Sequence, residues 1–157
     1  MNSDVEQKLN EYLDRGLCDG MGEATGQVCI EAAIALATEG KLKDSPACVH
    51  AAVRAFSIKL NDAEWSTKRA RADGLRALAF AQLGTADTLD GNRFAAKLAE
   101  LTIRRVLPIS LRAANLIEVA ERCERGGDAA AEAYDNILRV SAQCAVEAIA
   151  FGKQEVS

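Results

Sequence analysis

The chain has 157 residues, 49% of them hydrophobic, with 4% aromatics and a formal net charge of −4. A chain of that length suits one ordinary domain, able to bury roughly 70% of its unfolded surface without metal or disulfide staples. The apolar content excludes a disordered chain. The acidic balance argues against a general nucleic-acid binder, which needs a basic surface to displace counterions.

Taken in chain order, the first signal is Ser3 with Glu6, a capping box that predicts a helix from Asp4. Val5, Leu9 and Leu13 repeat at four-residue spacing and give it an apolar stripe, and Gly16 is its expected stop. Residues 17–26 read as a shaped loop holding Gly20, Gly22 and Gly26 beside Asp19 and Glu23. Residues 27–39 predict a second helix closed by Gly40. Apart from Glu31 and Glu39 it is nearly apolar all round, the pattern of a buried central helix. Ser45 and Pro46 predict the start of a third helix, as N-cap and first helical residue, with Val49, Ala52, Val53, Phe56 and Leu60 inward. A fourth helix is expected from an N-cap at Ser66 to Leu83, with Trp65 stapled onto Ala70.

After a loop at 85–92, a long helical pattern runs over 93–124. Its apolar stripe is Phe94, Leu98, Leu101, Val106, Ile109, Ala113, Leu116 and Ala120. Pro108 inside it predicts a kink or break, because proline removes a ladder hydrogen bond and clashes with the preceding turn. Arg104 and Arg105 flank that point and are placed to reach carbonyls freed by the proline. Gly126 and Gly127 make a turn, Asp128 caps a last helix, and Tyr134, Ile137, Ser141, Cys144 and Ala148 line one side of it. No stretch alternates with period two, so no strand is predicted. The expectation is one all-α domain over 1–157, a compact bundle of six to seven helices with the 27–39 helix at its centre.

Five cysteines, an odd number, and a start without basic or apolar leader regions point to free thiols in a reducing compartment, the cytoplasm. The longest apolar run, 28–38, contains Glu31 and falls short of the roughly 20 residues that span a bilayer.

Several side chains invite a chemical reading. Cys18, Asp19, Glu23, Cys29, Glu31, Cys48 and His50 offer metal-ligand types. Cys48 and His50 are two apart, however, and point to different sides of a helix, and no established ligand spacing is present. No metal or other cofactor is expected, and the cysteines read as small core residues. Glu31 must be paired or reach a polar gap. It is either a structural anchor, taking hydrogen bonds from the loop or pairing with Arg54, or an acid/base group in a loop site with Asp19, Glu23 and His50. With one histidine and no nucleophile elbow, no catalytic residue is assigned.

Charge is segregated along the chain. Residues 1–53 hold four Lys/Arg against nine Asp/Glu, residues 54–112 eleven against six, and residues 113–157 four against eight. The basic middle either neutralises the acidic ends on folding or leaves a docking face. In the second case Lys68, Arg69, Arg71, Arg104, Arg105 and Arg112 are its anchors, and the partner is a protein with an acidic or phosphate-bearing surface. Nucleic acid is the lesser alternative for 54–112, since aromatic residues for base stacking are not interleaved.

The blocks Gly16-Leu17-Cys18-Asp19-Gly20, Gly26-Gln27-Val28-Cys29-Ile30-Glu31-Ala32-Ala33 and Val53-Arg54-Ala55-Phe56 carry a resemblance. So do Leu60-Asn61-Asp62, Trp65-Ser66, Ala70-Arg71-Ala72, Ala81-Gln82-Leu83-Gly84 and Arg104-Arg105-Val106-Leu107-Pro108. Together they resemble a phage- and prophage-associated family of bacterial proteins with no assigned activity. The resemblance implies an accessory gene of mobile elements. The function expected is a protein–protein interaction module, with a stoichiometric inhibitor of a bacterial defence system, of the anti-CRISPR kind, as its specific form. A small enzyme or ligand-binding protein built on the 17–26 loop is the alternative.

Overall fold

A computed structural model describes residues 3–127. They are all-α. Seven α-helices are formed: α1 (Ser3–Asp14), α2 (Ile30–Glu39), α3 (Ala51–Asn61), α4 (Lys68–Ala81), α5 (Gly91–Leu101), α6 (Leu107–Ala113) and α7 (Ile117–Arg125), with a π-helical turn, Thr102–Val106, joining α5 to α6. No strand occurs among the described residues; β pairing is confined to isolated bridges of Val28 with Leu17 and Gly22. The last predicted helix, with Cys144, lies outside the described residues. None of the described helices is long and apolar enough to cross a membrane. The chain falls into two compact units, Met1–Ala95 and Ala96–Ser157, divided inside α5.

In the first unit α2 is innermost, packed by α1, α3 and α4. Ile30, Ala32, Ala33, Ile34, Ala35 and Ala37 are all buried, and so is Glu31. Alanine lets the neighbouring helices approach closely while larger side chains, Leu9 and Leu13 of α1 and Leu75 of α4, fill what remains. α2 begins three residues later than the apolar pattern suggests. The Cys29 thiol caps it, accepting from the Ala32 amide at 3.4 Å, and Gly40 ends it in the left-handed conformation at φ 68°.

α3 departs further from expectation. It starts at Ala51, with His50 Nδ1 accepting the Ala52 amide at 3.1 Å as N-cap. Ser45 caps no helix, and Pro46 is buried in the turns before α3. α4 is capped one residue later than predicted, by the Thr67 hydroxyl on the Ala70 amide. Trp65 is fixed at both ends of its indole. Its Nε1 donates to Leu60 O, and its ring lies flat enough on Gly74 that a Cβ there would come within 2.5 Å of it.

The predicted helix over 93–124 is interrupted twice. At Pro108 the interruption is the π-helical turn: the Leu107 amide reaches back five residues to Thr102 O, and the widened turn gives the proline ring room at the start of α6. At Asn115 the backbone turns left-handed, φ 61°, which asparagine tolerates better than most residues, and α7 begins afresh. In this unit Ile103, Leu107 and Leu111 pack with Val119, Ala120 and Cys123.

Candidate functional site

The loop of 17–26 is held by its own polar groups. Cys18 N donates to Val28 O and Glu23 N to Gln27 O, while Gln27 Nε2 donates to Arg15 O at 2.7 Å. Gly22 is obligatory: at φ 74° a Cβ would stand 2.1 Å from Gln27 O and 2.8 Å from Val28 Cα. Asn61, at the end of α3, ties the loop to α2 by accepting the Ile30 amide at 3.1 Å and donating to Cys18 O at 2.9 Å. A cavity of about 70 Å³ opens here, lined among others by Met21, Ile30, Asp44, Ile58 and Asp62.

The structure does not assemble the predicted loop site. Asp19 and Glu23 are exposed, and neither lines the cavity. His50 caps the far end of α3 from Asn61, about 16 Å away at 1.5 Å per helical residue. Among the described residues no three His, Cys, Asp or Glu side chains converge as metal ligands. Cys18, Cys29, Cys48 and Cys123 are unpaired, and burial raises the pKa of Cys18, Cys29 and Cys123, leaving them poor nucleophiles at neutral pH.

Glu31 is inaccessible to solvent, and neither expected anchor holds it. No loop amide reaches it, Arg54 acts only through its charge, and both carboxyl oxygens lack a hydrogen bond. Its neighbours are Ser57 of α3 and Gln82 at the end of α4, which are bonded to each other, Gln82 Nε2 to Ser57 Oγ, at 3.4 Å. Burial pushes the carboxyl up to about 7 against the opposing pull of Ser57, Arg54 and Gln82, with Asp44 adding to the rise. The positive end of α2 favours the ion by at most ~2 kcal/mol, less than the several kcal/mol that burying an unpaired charge costs.

The six basic anchors part into two groups, one in each unit. Of the first, Lys68 is exposed and Arg69 pairs with Asp73 at 3.1 Å while donating to Asp14 O. Arg71 is a correction to the docking role: it is buried, and its Nη1 donates to Leu17 O at 3.1 Å, bracing the loop. Arg71 sits on the same face of α4 as Leu75, which its spacing of four already implied.

In the second group, Arg104 does not satisfy carbonyls freed by Pro108. It reaches α7, donating to Glu124 O, and pairs with Glu100. Arg112 forms a two-pronged pair with Glu124 at 2.6 and 2.8 Å. Arg105 is exposed and makes no hydrogen bond or ion pair among the described residues.

Beside Arg105 lies the feature that sequence reasoning missed. Val106 is 58% exposed and Ile109 69%, and Leu101, Leu116 and Ile117 are exposed too. The middle of the stripe expected to face a core, from Leu101 to Leu116, faces water, although Phe94 before it and Ala120 after it do pack inward, while Leu107 and Leu111, on the opposite side of α6, do the packing there. At 100° per residue the two sets stand well over a right angle apart. The signal available was that 106–111 is apolar at five of its six positions, more than one inward stripe can absorb. Arg105 and Arg112 lie four residues before and three after Ile109, next to it on the helix surface.

No protein-family model, curated protein or solved structure matches the chain.

Proposed function

We propose that the protein is a protein–protein interaction module that docks an acidic, amphipathic segment of its partner on the exposed face of α6. The observation that carries this is the exposure of Leu101, Val106, Ile109, Leu116 and Ile117, with Arg105 beside them free of any ion pair among the described residues and Arg112 held by Glu124. Aliphatics exposed together in a small protein mark interaction sites, and arginine is enriched at binding hot spots, where its fork pairs carboxylates. The reading includes a cytoplasmic setting, supported by four unpaired thiols. Its specific form, supported by the resemblance to phage-borne proteins, is a stoichiometric inhibitor of a bacterial defence system such as CRISPR.

Capture from bacterial lysate with full-length wild type and with the double variant Val106→Asp/Ile109→Asp tests the reading, followed by binding measurements on the purified partner. Wild type should bind with an association rate that falls as salt rises. The variant should lose binding while keeping its helical spectrum, and Arg105→Glu should weaken it. A partner that binds all three proteins alike ends this reading, and selective recovery of DNA or RNA moves it to nucleic-acid binding. For the inhibitor form, titration into a purified CRISPR effector nuclease should abolish cleavage at one equivalent; undiminished cleavage at excess removes that form.

A further inference from the structure

The buried polar cluster of Glu31, Ser57 and Gln82 does not balance as an ion. Glu31 Oε1 and Oε2 and Gln82 Oε1 are all buried and none accepts a well-formed hydrogen bond, although Ser57 and Gln82 are the polar side chains beside the carboxyl. The one bond present, Gln82 Nε2 to Ser57 Oγ, leaves the serine hydroxyl hydrogen as the donor still to be used. One proton on Glu31 completes the set. Gln82 Nε2 donates to Ser57 Oγ, Ser57 donates to a Glu31 oxygen, and the Glu31 acid hydroxyl donates to Gln82 Oε1.

We propose that Glu31 is held as the neutral acid, closing a ring of hydrogen bonds that ties α2 to α3 and α4, and that its ionisation makes the Met1–Ala95 unit a proton-linked switch.

The groups facing Glu31 support this. α1 brings the apolar Leu9 and Leu13 to the core, and α4 brings Ala72, Leu75 and Ala79, the buried Arg71, whose Nη1 is bonded to Leu17 O, and the neutral Gln82 just past its end. α3 brings Ser57 and the charge of Arg54, and the loop before α3 brings Asp44, which opposes ionisation. Burial dominates, and the carboxyl's pKa of about 7 lies where modest pH changes act. Losing the proton leaves a carboxylate among three helices with Gln82 Oε1 again unmatched. The packing of α2 then loosens as pH rises.

Urea unfolding of the full-length protein, followed by fluorescence of its single tryptophan, Trp65, reads this unit directly. Between pH 5 and 8 the wild-type unfolding constant should rise relative to that of Glu31→Gln by on the order of a hundredfold. Equal pH dependence in the two proteins overturns the proposal. The infrared spectrum of folded wild type gives a second reading, independent of how well the variant folds. At pH 6 it should contain the carbonyl stretch of a protonated carboxylic acid, and this should fade by pH 8. Its absence at pH 6 would mean that Gln82 has turned its amide to donate to ionised Glu31, and would overturn the proposal equally.

Discussion

The two units use apolar residues in opposite ways. In Met1–Ala95, fifteen buried apolar residues form one cluster, and almost every large aliphatic of α1 to α4 contributes to it or packs against it. In the described part of Ala96–Ser157 only Leu111, Ala120 and Cys123 are buried together, while aliphatics as large as Ile109 stand in water. The first unit spends its sequence on a core and even buries a carboxyl there. The described helices of the second leave several large aliphatics uncovered. Stability belongs to the first region and surface chemistry to the second, so substitutions in the two should separate cleanly by what they change.

The largest effect is expected at the centre of the first core. Ile34 is wholly inaccessible on α2. Ile34→Ala should lower unfolding stability by about 2–5 kcal/mol, the lost transfer energy plus the cavity left behind. Urea titration followed by Trp65 fluorescence measures it. A change under about 1 kcal/mol would break the comparison, because the centre of the core would then be as tolerant as a surface.

Glu31 sharpens the same contrast through pH. Its ordinary pKa is 4.5 and its folded value about 7, so the folded state keeps a proton that the unfolded state has already released. The sign follows: stability is greatest below about 4.5 and is lost as pH rises through about 7. At ~1.4 kcal/mol per unit the full loss is about 3 kcal/mol. Glu31→Gln should therefore be more stable than wild type at pH 8 by up to about that amount, and should gain nothing at pH 4. Melting temperatures at the two pH values check both halves of the statement.

Much of the first unit was legible because its rules are local. Val5, Leu9 and Leu13 announced α1, and the all-round apolar run with Gly40 behind it announced α2 as central. What failed were choices between two adjacent signals. Ser45 and Pro46 have the residue types of a helix start, but His50 caps α3 instead, and Pro46 is worth more buried than exposed on a first turn. Glu31 was legible as a problem but not in its solution: no spacing rule shows that Ser57 and Gln82, 26 and 51 positions away, would be its neighbours. In the second unit the π-helical turn was invisible for a different reason. An extra residue in one turn shifts every later side chain by about 100°, so the stripe from Leu101 to Leu116 and the stripe through Leu107 and Leu111 trade faces with no change of composition. The candidate interface was legible only in its charge, through Arg105 and Arg112.

A smaller loss is expected where the first unit braces its loop. Arg71 is buried, and it fixes Leu17 O through Nη1. Arg71→Met keeps much of the side-chain volume and removes that bond, leaving a buried carbonyl without this donor, so about 1–3 kcal/mol should be lost. Because the loop carries Cys18, the same variant should make that thiol react faster with a disulfide reagent. Unchanged thiol kinetics together with unchanged stability would show that Arg71 braces nothing.

The smallest stability change should come from the most apolar substitution in the second unit. Val106→Ser/Ile109→Ser removes two side chains that are more than half exposed. They bury little in the folded chain, so little burial energy is lost with them, and surface substitutions usually move stability by under ~0.5 kcal/mol. The same change removes the two most exposed aliphatics of the proposed docking face. Hence the variant should melt within a degree or two of wild type, stay in solution at higher concentration, and fail to hold the partner that wild type retains. Leu111→Ala on the opposite side of α6 is the control. Leu111 is buried against Ala120 and Cys123, and its loss should weaken the packing of α6 on α7. If the Ser pair were to lower stability as much as Leu111→Ala does, Val106 and Ile109 would be core residues after all, and the division of labour between the two sides of α6 would be wrong.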